Sequence, residues 1–386
     1  MQIEINSQEE GEIKNSLEKR TDPEAKRLLR FLNMPDLSRE PESPIYELVG
    51  RILKIPRFAD FDDIKVPEIA PPDVSFDLFN FPAEHPARSK SDTYFINGYV
   101  LRTHTTIMWY YWLKQPEVMS KIEKGESVGA LSYGKVYRKD EIDRNHMNVF
   151  HQMDGWYLSP KEKELITVGD LKNVLVQIAR AIYGSDIKYR FNKDEFPYTD
   201  PSIEMEIKIP YFTEALKGEG GRWVEVLGAG VVHPVVLKNL GVDPDKYNGW
   251  AFGFGLERLA ILSMDLPDIR LLWSEDERMK KQLKLGNKFK EVSKYPAITR
   301  DISFVQKDDF VENDYFDLMR DEGGNIIEEV KRIDTFKIPK GAQMEISGTF
   351  RIVYRSIDRT LTNAEVDKIQ DRIYKKTADK FAKEIR

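Results

Sequence analysis

Apolar side chains recur at helical spacing in a few long stretches of the chain. The stretch TVGDLKNVLVQIARAIYG, residues 167 to 184, places its apolar residues on one face, begins at a capping Thr and ends at Gly184. SPIYELVGRILKI, from Ser43, starts with a Ser cap and a Pro and shows the same periodicity. The longest predicted helix, TNAEVDKIQDRIYKKTADKFAKEI near the C-terminus, opens with a Thr-x-x-Glu capping box.

Between these helices the chain carries short runs that are typical of strands. They read TYFINGYVLRTH, ALSYGKVYRKD, VFHQMDGWYL, SIEMEIKI and WVEVLGAGVV. Successive strands with only a few long helices predict a mostly antiparallel sheet with helices packed on it. After a charged linker, the order changes to strand, helix, strand, strand, helix, which predicts a small ferredoxin-like sandwich.

These patterns divide the chain into three parts. Residues 1–44 form a polar arm with one predicted helix around Pro23 to Leu32, and the arm is either flexible or an added helix. Residues 45–290 form the larger domain and residues 291–386 the ferredoxin-like one. A chain of 386 residues is long enough for two such domains.

Composition narrows the class of protein without naming a function. Hydrophobic residues make up 41% and charged residues 32% of the chain, a globular balance. The net charge of −6 gives no support to a dedicated nucleic-acid binder, although a local basic face can sit on an acidic protein. The absence of cysteine excludes disulfides and thiolate metal sites. No apolar run is long enough to span a bilayer, and the acidic N-terminus resembles neither a secretory signal nor a transit peptide.

Candidate chemistry concentrates in YRKDEIDRNHMNVFHQMDGW, residues 137 to 156. Arg138 and His146 bracket a predicted turn, Phe150 could stack on a flat base, and Gln152 could orient a polar ligand group. Each residue alone is more often a surface ion pair, a buried neutral histidine, a core aromatic or a strand amide. Arg258, in the Gly-rich GFGLERL element, adds a second guanidinium that can grip phosphate. GFGLERL is neither a P-loop nor GxGxxG, and by itself favours helix packing.

These residues carry a family resemblance. R-x-[DE] followed by F-x-[QE], and G-x-G-x-E-R, resemble motifs 2 and 3 of the class II aminoacyl-tRNA synthetases. LRTHTT, FPYTDPS, EVLGAGVVHP, GWAFGFGLERLAIL and LPDIR resemble the catalytic part of phenylalanyl-tRNA synthetases in particular. SKYPAITRDISF and VYRSIDRTLTNAEV resemble the ferredoxin-fold anticodon-binding domain. The resemblance covers about residues 37–385. The presence of both domains on one chain is the arrangement found in the single-chain, mitochondrial-type enzymes of the family.

The resemblance implies a fold and an activity. The fold is α+β, a class II synthetase antiparallel sheet flanked by helices with a C-terminal ferredoxin-like α/β sandwich. The activity is activation of phenylalanine with ATP to the acyl-adenylate, with release of pyrophosphate, and transfer to the 3′ end of tRNA(Phe). ATP and Mg²⁺ are the expected substrate and ion. The chain is expected to be a monomer with no membrane contact, either cytoplasmic or a processed chain in the mitochondrial matrix.

The same resemblance assigns roles to particular residues. In the ATP site, Arg138 would hold the α-phosphate and His146 the outer phosphates. Phe150 would stack on adenine, Arg258 would clamp the nucleotide from the other side, and Asp140 belongs to the same expected site. Around phenylalanine, Gln152 and Asp154 would hold the ammonium group, Phe196 and Tyr198 would meet the ring, and Ala251 and Phe252 would close the pocket. The expected amino-acid site also includes His104, Thr106, Trp109, Asn145, Met147 and Glu225. Asp200 and Glu225 are the expected magnesium ligands, and Arg300, Arg355 and Arg359 are expected to bind tRNA.

Several residues depart from the pattern of the family around the amino acid. Thr106 stands where Ser is usual and Trp109 where Gln is usual. Asp154 and Asp200 replace Glu, and Tyr198 replaces Phe. Two alternatives therefore stay open, a paralogue that activates a different amino acid and a tRNA-binding relative without catalysis. Retention of the phosphate-binding cations argues against the second.

Overall fold

The computed structural model describes residues 1–141, 143–209, 221–290, 295–340 and 343–385. Its strands form one eight-stranded, one four-stranded and one three-stranded sheet. No helix in these ranges is long and apolar enough to cross a membrane. Up to residue 290 the elements are β1 (Gln2–Glu4), α1 (Gln8–Glu18), α2 (Pro23–Leu32), α3 (Pro44–Leu53), β2 (Asp62–Lys65), β3 (Ile69–Ala70), α4 (Pro72–Ser75), β4 (Phe95–Ile96), β5 (Tyr99–Leu101), α5 (Met108–Leu113), α6 (Pro116–Glu123), β6 (Val128–Tyr137), β7 (Val149–Pro160), α7 (Val168–Tyr183), β8 (Tyr189–Phe196), β9 (Thr199–Ile209), β10 (Arg222–Val232), α8 (Pro234–Asn239), β11 (Tyr247–Gly255), α9 (Leu256–Met264) and α10 (Glu277–Lys280).

The eight-stranded sheet has the order β1-β2-β6-β7-β11-β10-β9-β8. Every pairing from β6 to β8 is antiparallel, whereas β1 pairs with β2, and β2 with β6, in parallel. The predicted α+β class with a mostly antiparallel sheet is therefore confirmed. The two parallel pairs lie together at one edge of the sheet, where β1 and β2 extend it beyond β6.

Helices cover both faces of this sheet, and the alternation of β7 separates two cores. Met153 and Tyr157 face a cluster built with α3, α7 and α9, while Trp156 and Leu158 face a cluster that includes α5 and α8. Thr167 caps helix α7, as the pattern predicts, and forms a capping box with Asp170. The α5 and α8 side of the sheet also holds the candidate site.

The C-terminal region forms the four-stranded sheet, with α11 and α12 on one face. Phe304 and Phe350 stack at 5.6 Å beneath Tyr315 of the first helix. The predicted ferredoxin-like order is confirmed, with one further short strand after the last helix. Its elements are β12 (Ile298–Gln306), α11 (Glu312–Gly323), β13 (Ile327–Lys340), β14 (Gln343–Tyr354), α12 (Asn363–Lys380) and β15 (Ala382–Ile385), in the sheet order β13-β14-β12-β15. The predicted boundary after residue 290 adjoins residues 291–294, which lie outside the described ranges.

The N-terminal segment is packed against the rest of the molecule. It contributes the edge strand β1, and α1 and α2 bury Leu17 and Leu28 against Tyr94 and Tyr137. The helix expected around Pro23 to Leu32 is present with those bounds, and Asp22 caps it. The segment is therefore structural, with a second helix and a strand that its polar composition concealed.

Candidate active site

A cavity of about 850 Å³ opens on the α5 and α8 side of the large sheet. Residues from β7, β10 and β11 line it together with loops that precede α5 and follow β6 and β8. It brings together all of the residues expected for ATP and the amino acid, whereas Asp200, expected as a magnesium ligand, is not part of its wall. Its walls include His104, Thr106, Trp109, Arg138, Asp140, Asn145, His146, Met147, Phe150, Gln152, Asp154, Phe196, Tyr198, Glu225, Ala251, Phe252 and Arg258.

The strand period explains why these residues meet. Phe150, Gln152 and Asp154 alternate along β7 and therefore project from one face. On the neighbouring β11, Gly253 pairs with Asp154 and leaves the wall open. A Cβ at Gly253 would lie 2.9 Å from Oδ1 of Asp154, closer than side chains normally approach. The glycines of the Gly-rich strand thus make room for the carboxylate of β7.

Asp154 is a buried carboxylate at the centre of the cavity. Its Oδ1 accepts a hydrogen bond from Oγ1 of Thr106 at 2.8 Å, and its Oδ2 accepts one from Thr105. Burial raises the pKa of Asp154 to about 6, although the two hydroxyl groups and Arg138 lower it in part. The carboxylate is therefore ionised near neutral pH. A bound cation, such as an ammonium group, would neutralise its buried negative charge.

His104 lies beside this carboxylate as a neutral wall. Its Nε2–H donates to the carbonyl oxygen of Ser75 at 3.0 Å, and its ring stacks on Phe81 at 5.7 Å. Burial and then the charge of Arg138 lower the pKa of His104 to about 3, so the imidazole carries no charge at physiological pH. It shapes the pocket and offers Nδ1 as an acceptor.

One end of the cavity is a slot of aromatic rings. Tyr198 stacks on Phe196 at 5.8 Å and meets Trp109 edge to face at 6.3 Å. Trp109 in turn stacks on Trp156, the partner of Ala251 in the sheet, at 4.3 Å. Such a slot suits a planar apolar side chain, which can contact rings by their faces and edges.

The other end of the cavity carries cations. Arg138 donates from Nε to the carbonyl oxygen of Thr103 at 2.9 Å, which leaves its guanidinium 5.2 Å from the centre of the Phe150 ring. His146 contacts Asp143 through Nδ1 at 2.9 Å, and this hydrogen bond raises the pKa of His146. Arg258 is half exposed at the mouth, within 4.0 Å of a Glu225 oxygen. Two guanidinium groups and a histidine with a raised pKa surround a flat ring, an arrangement that can hold a nucleotide and its phosphates.

The structure separates Asp200 from Glu225, the two residues expected to bind magnesium together, and this contradicts the expected role of Asp200. Glu225 lines the cavity, but β10 pairs it with Glu206, six residues along β9 from Asp200. At 3.3 Å per residue, the two carboxylates are separated by about 20 Å along the strand. Asp200 is exposed and lies outside the cavity wall. Among the described residues, no three Asp, Glu, His or Cys side chains form a metal cage.

The ring of Phe252 packs in the core behind the sheet, whereas the expectation placed it against the amino-acid substrate. It is 2% exposed, and its ring stacks on Trp250 and Phe254 at 5.8 and 5.6 Å in the core beneath the sheet. It alternates with Ala251 on β11, so the two side chains project to opposite faces. Phe252 therefore supports the sheet from behind, and the expected role of its ring in closing the pocket is wrong.

A buried charged cluster behind the site was missed by the sequence reasoning. His151, between Phe150 and Gln152, contacts Glu257 through Nδ1 at 2.6 Å and Asp36 through Nε2 at 3.3 Å. Burial opposes the charged imidazole, but Glu257 and Asp36 outweigh it and raise the pKa of His151 to about 9. Glu257 also accepts the backbone N–H of His151, so it ties β7 to the start of α9 beside Arg258. The feature of the sequence that could have indicated this cluster is the histidine itself, at an inward-facing position of the predicted strand VFHQMDGWYL.

The three arginines expected to bind tRNA lie in the C-terminal region, and each has an acidic partner there. Arg300 pairs with Asp367 at 2.7 Å and Arg359 with Glu365 at 2.7 Å. Arg355 pairs at 2.7 Å with Glu328, which is buried. Their role in RNA binding stays a prediction, and any contact with phosphate would compete with these carboxylates.

Comparisons with known proteins place this geometry in context. Residues 32–283 match the family described as tRNA synthetases class II core domain (F), and residues 293–386 match the ferredoxin-fold anticodon binding domain. The chain is 40% identical to the chloroplastic/mitochondrial phenylalanine–tRNA ligase of Arabidopsis thaliana, over 86% of this chain and 73% of the relative. It is 35% identical to the mitochondrial phenylalanine–tRNA ligase of Mus musculus, over 83% and 74%. A solved pyrrolysyl tRNA synthetase from Desulfitobacterium hafniense aligns with a TM-score of 0.44 and 17% identity, over 68% of this chain and 81% of that chain.

Proposed function

The chain belongs to the class II tRNA synthetase family of the phenylalanine type, and we propose that it is a phenylalanine–tRNA ligase whose activation site is the cavity described above. One observation carries the assignment of the site. An aromatic slot, a buried carboxylate and a group of cations follow one another along a single cavity. That order matches the ring, the ammonium group and the reacting carboxylate of phenylalanine followed by the phosphates of ATP.

In this proposal the two ends of the cavity hold the two substrates. The ring of phenylalanine enters the slot beside Tyr198, and its ammonium group binds Asp154. Adenine stacks on Phe150, and Arg258 covers the nucleotide from the open side. The bound geometry leaves the carboxylate of the amino acid near the α-phosphate, which is the main requirement for a reaction between two bound substrates.

The first step exchanges one bond to phosphorus for another. A carboxylate oxygen of phenylalanine attacks the α-phosphorus of ATP, an oxygen–phosphorus bond forms, and the bond to pyrophosphate breaks. Arg138 holds the charge that develops on the α-phosphate, and His146 holds the leaving phosphates, its protonation favoured by Asp143. None of these groups becomes covalently attached.

A divalent magnesium ion fits this site at Glu225. Mg²⁺ needs only one or two carboxylates because substrate phosphates and water complete its coordination. Burial and the neighbouring Glu204 raise the pKa of Glu225, although Arg258 opposes them, and such an acidic environment favours a cation. When bound, the ion would neutralise phosphate charge, while Glu225 would hold it at the cavity wall.

In the second step a ribose hydroxyl at the 3′ end of tRNA(Phe) attacks the acyl carbon, and AMP leaves. The ferredoxin-fold domain supplies the anticodon-binding region in this proposal. We propose a monomer, as the single-chain relatives suggest. The organellar names of the relatives support the mitochondrial alternative of the two compartments expected from the sequence.

The test is ATP–pyrophosphate exchange on the purified full-length protein with Mg²⁺ and each of the twenty amino acids. Exchange with phenylalanine, followed by charging of tRNA(Phe), is the expected result. Exchange with another amino acid alone would show that Trp109 and Tyr198 have rebuilt the pocket. No exchange with any of the twenty would refute the enzymatic proposal.

A further inference from the structure

Helix α11 of the C-terminal domain lies against the loop that joins β6 to β7, the loop that carries His146. Arg320 of this helix donates from one terminal nitrogen to the backbone carbonyl oxygens of Asp140 and Glu141, both at 2.6 Å. The side chain of Arg320 is 13% exposed, so water competes little for these contacts. A guanidinium that bonds two successive carbonyls fixes the path of the backbone there.

A buried carboxylate anchors the same helix to the far end of the loop. Asp317 is 0% exposed and accepts a hydrogen bond from the hydroxyl of Tyr94 at 2.8 Å. Its Oδ1 also lies 3.3 Å from Nδ2 of Asn148 and 3.4 Å from Arg320. The backbone oxygen of Asn148 accepts the N–H of Arg138 at 3.0 Å. Helix α11 therefore contacts both ends of the segment that presents Arg138 and His146 to the cavity.

Further contacts join the loop to the C-terminal domain at the rim. Lys139 pairs with Asp314 at 2.6 Å, and Arg144 pairs with the buried Glu328. Asn313, at the start of the helix, lines the cavity itself. The cation end of the candidate active site is thus built from both domains, while the aromatic slot uses the catalytic domain alone.

The same helix has a second attachment that does not involve the loop. Asp321 pairs with Arg27 at 2.7 Å and with Arg30 at 3.1 Å, both on the N-terminal helix α2. The contacts that dock α11 on α2 are therefore distinct from the contacts by which α11 holds the loop between β6 and β7. Arg30 provides a control arginine that docks the helix from an exposed position.

We propose that Arg320 is a positioning residue for the activation step, which holds the loop so that Arg138 and His146 can bind the phosphates of ATP. The proposal rests on the proposed function of the cavity. It predicts that the C-terminal domain contributes to the binding of ATP and not only to the binding of RNA. By linkage, a bound nucleotide should stabilise the docked position of α11 to the same extent.

The experiment compares Arg320→Gln with Arg30→Gln in the full-length protein by phenylalanine-dependent pyrophosphate exchange. The KM for ATP of Arg320→Gln should rise by about tenfold or more, because small displacements of positioning groups have effects of this size. Its KM for phenylalanine should stay within about twofold, since the aromatic slot and Asp154 are untouched. Arg30→Gln should leave both constants within the same limit. Amide hydrogen exchange should rise in residues 138–141 and 143–148 of Arg320→Gln alone.

Each other outcome has a defined meaning. If both variants raise the KM for ATP equally, docking in general is responsible and the positioning role is refuted. If Arg320→Gln raises both KM values together, the effect is structural and the proposal fails. If Arg320→Gln does not fold, Asp314→Asn at the exposed rim should still raise the KM for ATP, and an unchanged value would overturn the proposal. A wild-type protein without exchange would instead refute the proposed function.

Discussion

Replacing Asp154 by Asn should make the free protein more stable and strongly lower its catalytic efficiency for phenylalanine. Burial raises the pKa of this carboxyl from 3.8 to about 6. The difference of about two pKa units corresponds to about 3 kcal/mol by which ionisation of Asp154 opposes folding above pH 6. Asn keeps the shape without carrying a charge: its Oδ1 can accept from one of the two threonine hydroxyl groups, and its Nδ2 can donate to the oxygen of the other.

The sign of the pH dependence follows from the direction of the shift. Between about pH 4 and pH 6 the folded protein holds the proton of Asp154 more tightly than the unfolded chain does. The free energy of unfolding therefore falls as the pH rises through this window and is constant above it for this group. Asp154→Asn lacks this contribution, so the difference in stability between the two proteins should grow from near zero at pH 4 to as much as 3 kcal/mol, roughly, at pH 7.5.

Urea unfolding at several pH values measures the stability difference, and pyrophosphate exchange measures activity. The catalytic efficiency for phenylalanine should fall by about a hundredfold or more, since the ammonium group loses its buried ionic partner. In the wild type the same efficiency should decline as the pH falls through about 6. Equal stability of the two proteins at pH 7.5, or an unchanged efficiency for phenylalanine, would refute the reasoning.

Three further substitutions follow from the structure. His151→Leu leaves Glu257 and Asp36 without their partner and should cost about 3–5 kcal/mol in urea unfolding near pH 6. The loss should be smaller above about pH 9, because the folded-state pKa of about 9 means that the stabilisation by the charged imidazole disappears as the pH rises through this value; an equal loss at both pH values would contradict the ionic role. Gly228→Ala places a Cβ 2.8 Å from the ring of Phe196 and should raise the KM for phenylalanine by about tenfold. The KM for ATP should stay constant, and an equal rise in both KM values would argue against a local clash. Glu225→Gln should raise the Mg²⁺ concentration for half-maximal exchange by about tenfold, equivalent to about 1.4 kcal/mol, and an unchanged requirement would exclude this carboxylate as a ligand.

Local patterns along the chain predict much of the fold and most of the cavity wall. Strand alternation puts Phe150, Gln152 and Asp154 on one face, and the structure places them there. Helix α7 and the C-terminal helix begin at capping boxes that are visible in the sequence. These features depend on residues a few positions apart, where spacing alone is informative.

The errors concern contacts between distant strands. Whether Asp200 can approach Glu225 depends on the register of β9 against β10, which no local pattern contains. The direction in which Phe252 projects depends on which face of β11 borders the cavity, and both faces of this strand are buried. The His151 cluster needs Asp36, which lies 115 positions earlier in the chain, so the sequence gives no reason to join them.

The N-terminal helix α2 has a consequence for the order in which the chain can fold. Arg27 binds Asp321, 294 residues later, and Asp317, one turn earlier on helix α11. During synthesis, Arg27 emerges 294 residues before Asp321, so these contacts can form only after helix α11 has also emerged. Contacts of such long sequence separation slow folding, because loop closure must precede them. We therefore expect a late kinetic phase in refolding, in which the N-terminal helices and the C-terminal domain join, and which Arg27→Gln should alter without affecting formation of the large sheet.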